Sequence, residues 1–142
     1  MTLAESLRRI DDQRVGYLAS VTPEGHPHLV PVVFTVVKSR IVTPIDWKPK
    51  TGKTLQRLVN LGANPSVAFL VDHYEERWDG LWWERVDGTA TVHIEGADRE
   101  AGIRALEAKY NQYRERAIEG AVILIDVIRI SSWAGREPLP TP

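Results

Sequence analysis

The sequence predicts a mainly β fold: a closed or partly closed antiparallel Greek-key barrel with helices at its periphery. Three observations lead there. Short apolar and β-branched runs recur between turn signals along the chain. The first three are joined by tight turns, which makes a meander and not βαβ units. The helical patterns are few, so they cap the strands without alternating with them.

Taken in order, Thr2 and Glu5 have the spacing of a capping box, and Leu3, Leu7 and Ile10 fall on one helical face. Val15–Val21 alternates as a strand. Thr22-Pro23-Glu24-Gly25 then suits a type I turn, with proline second and glycine fourth. His28–Val37 reads as one strand, and Pro31 within it requires an edge or a bulge because proline donates no ladder hydrogen bond. Ile41–Ile45 is a third short strand. A helix should begin near Thr51 or Thr54, carry Leu55, Leu58 and Leu61 on one stripe, and end between Gly62 and Pro65. Ser66–Val71 is a strand and His73–Gly80 a charged loop. Leu81–Arg85 and Gly88–Ile94 are expected to pair around Val86-Asp87-Gly88. Asp98 is the expected N-cap of a long helix reaching about Ala117, and Val122–Ile130 is the last strand.

The chain has 142 residues, 43% hydrophobic and 26% charged, which suits one globular domain over residues 1–142. A domain of this size buries roughly 70% of its unfolded surface and needs no staples. It has no cysteine, which excludes disulfides and thiol chemistry and agrees with a cytoplasmic location. A net charge of −1 provides no field for nucleic acid or acidic membranes. The N-terminal MTLAESLRRIDDQR does not read as a signal peptide, and Ala121–Ile130 is too short to span a bilayer.

The strongest chemical feature is the cluster Lys48, Lys50, Lys53 and Arg57, set after a strand and at a helix start. Helix starts present unpaired N–H groups and a positive dipole end, so cations there gain from a bound anion such as phosphate. The alternative is a solvated basic loop. Gly52-Lys53-Thr54 is no P-loop, because Trp47 stands where the first glycine belongs. His26, His28, His73 and His93 lack metal-ligand spacing. Trp82 and Trp83 must point to opposite faces of a strand. One fills the barrel; the other, with Arg85, faces a partner or a flat ligand, unless both simply pack in a covered sheet. Asp11-Asp12 and Glu75-Glu76 read as loop charge pairs, and Ser131-Ser132 has no base beside it. No side-chain catalyst emerges, so an enzyme of this composition would rely on a cofactor.

Val15–Pro31, the run Leu58-Val59-Asn60-Leu61-Gly62-Ala63-Asn64-Pro65-Ser66-Val67-Ala68-Phe69-Leu70-Val71, the lysine-rich loop and Tyr74…Trp78…Leu81-Trp82-Trp83-Glu84-Arg85-Val86…Gly88 together resemble pyridoxamine-5′-phosphate-oxidase-like proteins. The subgroup they look most like is the actinobacterial one described as dependent on the deazaflavin coenzyme F420. The resemblance implies a six-stranded antiparallel split β-barrel of the FMN-binding type, a homodimer, and cofactor sites at the interface. The cofactor would be F420, or FMN in sister groups. Pro31, Val33 and Phe34 would line the ring system, and Thr43 would lie near the phosphate or ribityl chain. Lys48, Lys50, Lys53, Thr54 and Arg57 would surround the phosphate, and Trp83 would come from the second subunit. In the parent pattern an Arg-Lys pair occupies the positions of Gln56 and Arg57, so the charges here are shifted.

The implied activity is hydride transfer between a reduced deazaflavin and a small conjugated acceptor. An FMN-dependent oxidase or reductase is the nearest variant. A non-catalytic flavin- or haem-binding protein, with His26 or His28 as axial ligand, is the rival from another class.

Overall fold

A capping box opens the chain. The Thr2 hydroxyl accepts from the Glu5 amide and the Glu5 carboxylate from the Thr2 amide, both at 3.1 Å, which satisfies two donors left open at a helix start. The helix α1 (Leu3–Asp11) then buries Leu7 and Ile10. The structure, a computed structural model, describes residues 1–45 and 55–136.

Among the described residues seven strands follow: β1 (Gly16–Val21), β2 (Pro27–Val32), β3 (Thr35–Val37), β4 (Arg40–Pro44), β5 (Ser66–His73), β6 (Trp82–His93) and β7 (Val122–Ala134). They form one sheet in the order β2-β1-β5-β6-β7-β4-β3, with every neighbouring pair antiparallel. The two edges of that order, β2 and β3, are joined by Val33-Phe34 alone. Three Cα steps span at most about 11 Å, so the sheet must curl until its edges meet. That is the split barrel, and the chain crosses its seam at Val33-Phe34. Inside lie Ile10, Leu18, Val32, Phe34, Ile41, Phe69, Val71, Val86, Ile123 and Ile125.

Among the described residues the strands number seven, against the six that the resemblance implies: His28–Val37 divides at the seam, while Leu81–Arg85 and Gly88–Ile94 run together as β6. Pro31 does sit on an edge strand, paired to Tyr17 alone. The Thr22–Gly25 turn closes with the Gly25 amide on the Thr22 carbonyl at 2.9 Å, and Gly25 takes the positive φ of 87°. The pairing expected around Val86-Asp87-Gly88 is corrected. These residues run through the single strand β6, and the register against β7 shifts between Asp87 and Gly88. Glycine serves there as a bulge residue, since a Cβ would lie 2.5 Å from the Asp126 carbonyl oxygen.

Among the described residues the other α-helices are α2 (Gln56–Ala63), α3 (Ala97–Lys109) and α4 (Gln112–Glu115), and Trp78–Gly80 forms a short 3-10 turn. Asp98 is not the N-cap of α3. Gly96 takes that place at φ 105°, and the Asp98 carboxylate pairs with Arg40 at 3.0 Å. The long helix expected to reach Ala117 gives way at Tyr110, which adopts an extended backbone with its side chain buried. Among the described residues no helix is long and apolar enough to cross a membrane.

Candidate functional site

Several of the residues expected at the site lie along the seam. Along its approach the side chains alternate: Pro31 exposed, Val32 buried, Val33 half-buried, Phe34 buried. Thr43, near the end of β4, is fully buried and donates its hydroxyl to the Val33 carbonyl at 2.8 Å. The chain leaves the described residues just after Pro44–Ile45 and returns at Leu55. From there α2 begins with no side-chain cap and no acidic residue in its first turn. Arg57, half-buried, stands in that first turn.

These pieces meet. Val15, Pro31, Val33, Thr43, Pro44 and Arg57 line one cleft of about 250 Å³. Apolar side chains, a backbone carbonyl already occupied by Thr43, and a guanidinium beside a helix start with no side-chain cap among the described residues make a corner whose charge suits an anion. Four of the residues expected at the site, Pro31, Val33, Thr43 and Arg57, are thus brought together. Lys48, Lys50, Lys53 and Thr54 lie outside the described residues.

One expected residue is placed elsewhere, and Trp83, expected to act from the second subunit, lies away from this chain's own cleft. Phe34 does not line the cleft. Its ring is fully buried and meets Phe69 edge-on at 4.8 Å, so it fills the barrel. Trp83 lies on the outer face of the sheet with Tyr17, Ala19, Leu29, Leu70 and Arg85, around a separate apolar depression of about 470 Å³. Trp82 points the opposite way, packs on the core and carries the Arg9 guanidinium 3.7 Å above its ring. The two tryptophans therefore divide between the faces as strand geometry requires.

Sequence reasoning missed a polar network behind the seam. Asp11, which reads as half of a loop charge pair, is an anchor. One of its carboxylate oxygens accepts from the Val36 amide at 3.0 Å, the Thr35 hydroxyl at 3.2 Å and Lys109 Nζ at 3.2 Å. Lys109 Nζ also lies 4.0 Å from the centre of the Phe34 ring, and burial holds its pKa below the ordinary value of 10.5. The Tyr110 hydroxyl reaches the Phe34 backbone, and burial raises its pKa above 10.0. A second missed group is Glu84, fully buried on β6, hydrogen-bonded by the Ser132 hydroxyl and 3.9 Å from Arg9. No local pattern marks these residues, because their partners are far away in sequence.

The histidines do not converge. His26 is exposed in the turn. His28 faces inward on β2, opposite Ser20, whose hydroxyl accepts from the buried Asn60 amide at 3.0 Å. Among the described residues no three His, Asp or Glu side chains cluster to hold a metal.

Comparison with known proteins bears on the family and the fold. A family model described as pyridoxamine 5′-phosphate oxidase matches residues 3–134. No curated protein matches the sequence. Among solved structures, a conserved hypothetical protein from Mycobacterium tuberculosis superposes with a TM-score of 0.79 at 23% identity, covering 100% of this chain and 92% of that one. An FAD-binding protein from Mesorhizobium loti gives 0.67 at 18% identity, with 93% and 92% covered. A haem-binding protein from Mycobacterium smegmatis gives 0.71 at 19% identity, with 95% of this chain and 59% of that one covered. At these identities the structural likenesses establish the fold.

Proposed function

Since the chain belongs to the pyridoxamine 5′-phosphate oxidase family, we propose that its seam cleft binds a flavin-type cofactor and that the protein is an oxidoreductase using it. One observation carries the reading: Arg57, in the first turn of an uncapped helix, lines the same cleft as Pro31, Val33 and Thr43. A phosphate fits the charged corner, and the apolar side chains beside it suit the edge of a tricyclic ring. The lysines 48, 50 and 53 would add charge to the same phosphate. F420 is the preferred cofactor on the subgroup resemblance, with FMN the alternative.

When bound, such a ring supplies the hydride chemistry. The chain's own residues bind, orient and exclude water. Thr43 holds the Val33 carbonyl, which fixes the wall against which the cofactor rests. Arg57 neutralises the phosphate. The acceptor is expected to be a small conjugated molecule, since among the described residues no side-chain acid or base lines the cleft. No histidine lines it either, which favours a flavin over haem at this position.

The test is direct. The purified protein is incubated with F420, FMN or haem, gel-filtered, and its absorption spectrum and melting point recorded. Co-elution of F420 or FMN with a raised melting point is expected, because a ligand of the folded state stabilises it. Haem alone co-eluting would replace this reading with that of a haem carrier.

A cleft of about 250 Å³, small beside the roughly 300–1,000 Å³ usual for small-molecule sites, would be completed by a second wall. A second copy of this chain would provide it by docking on the apolar outer face, where Leu29 is 67% exposed, and by contributing Trp83. Light scattering should then give twice the 16.0 kDa chain mass. A monomer at micromolar concentration would remove the partner-supplied wall.

A further inference from the structure

The crossover at Val33-Phe34 poses an accounting problem. It belongs to no strand ladder, yet Phe34 is fully buried, so its amide and carbonyl have no sheet partner and no water. One side chain answers for both. The Phe34 amide donates to the Tyr110 hydroxyl oxygen at 3.2 Å, and that hydroxyl's hydrogen is shared between the Phe34 carbonyl at 3.0 Å and the Arg14 carbonyl at 2.8 Å.

We propose that Tyr110 is the positioning residue of the cleft, its phenol standing in for the missing strand at the seam and so fixing where Val33 and Thr43 meet the cofactor. This rests on the cofactor reading above. The crossover is gripped from two sides. On the cleft side Thr43 holds the Val33 carbonyl; behind it Tyr110 holds the adjoining Phe34 peptide groups. Asp11 secures the next residues, Thr35 and Val36, and Lys109 ties Asp11 to the end of α3. Tyr110 is also where α3 stops being helical, so the helix ends at its anchoring point. Loss of the hydroxyl leaves two buried peptide groups unsatisfied unless the crossover shifts toward water. Any such shift moves Val33 and, through the Thr43 bond, the cleft wall.

The experiment compares the wild type with Tyr110→Phe and with Leu106→Val. The second variant trims a buried residue of the same α3 core patch. NMR amide exchange reads the crossover, and F420 and FMN are each titrated alone. In Tyr110→Phe the Phe34 amide should exchange at least about tenfold faster while the β5 and β6 amides stay protected. Affinity for the retained cofactor should fall about tenfold, the equivalent of 1.4 kcal/mol. Leu106→Val should lower the melting point but change neither reading. Unchanged Phe34 exchange overturns the proposal, and so does faster exchange with undiminished affinity. If the wild type retains neither F420 nor FMN, the cofactor reading fails by itself, and a Phe34 amide as protected as before then also removes Tyr110 from holding the seam.

Discussion

Alanine at position 16 should destabilise the barrel by about 3 kcal/mol, the upper part of the range for overpacking a tight core. A Cβ built on Gly16 overlaps the Phe69 ring, with two further ring carbons at 2.7 and 2.9 Å. Phe69 is fully buried and cannot swing aside, because Phe34 stands edge-on against it at 4.8 Å with the planes 70° apart. Phe34 in turn is held by its backbone at the seam, so the strain passes directly to the crossover. For a chain of this size the loss corresponds to a melting point lower by roughly 6–12 °C. Urea unfolding of Gly16→Ala, Phe69→Leu and the double variant tests the cause. A smaller side chain at position 69 should relieve the overlap and give a coupling of about 1–2 kcal/mol. Strict additivity would show that Phe69 does not set the requirement for glycine.

That requirement illustrates what local sequence carries and what it does not. The capping box, the Thr22–Gly25 turn, the edge position of Pro31 and the opposed tryptophans all follow from short-range rules, and each is present in the structure. The break at Val33-Phe34 has no such signal. In HLVPVVFTVV both strands and the crossover bury apolar side chains, so the hydrophobic run continues through the point where the chain changes edge. Only closure of the sheet creates the seam. Val86-Asp87-Gly88 has the composition of a turn, but the close approach of β7 makes it a bulge inside one long strand.

The same distinction applies to the site. Arg57 is legible as a cation at a helix start. Its meeting with Pro31, Val33 and Thr43 depends on β2, β4 and α2 converging at one end of the seam. Phe34 illustrates the opposite error. It lies in the right segment, but the alternation that leaves Pro31 and Val33 on the cleft side turns its ring inward. Tyr110 and Asp11 hold the site from behind through bonds spanning tens of residues, which no local pattern reveals.

Arg57→Ala should weaken binding of F420 or FMN by about a hundredfold, measured by fluorescence titration. A hydrogen bond to a charged partner contributes about 1.5–3 kcal/mol, and each 1.4 kcal/mol is tenfold in Kd. The half-buried setting beside an uncapped helix start places the loss toward the upper end. Arg57→Lys should recover part of the affinity, since it restores the charge without the planar fork that meets two phosphate oxygens at once. The salt dependence of binding should fall in the alanine variant, because one charged contact has gone. Lys50→Ala and Lys53→Ala complete the comparison. Equal losses in all three would mean that the phosphate is shared between the helix start and the residues that precede it in sequence. A normal Arg57→Ala alongside weakened lysine variants would move the phosphate off α2 and leave Arg57 as a structural residue of the cleft wall.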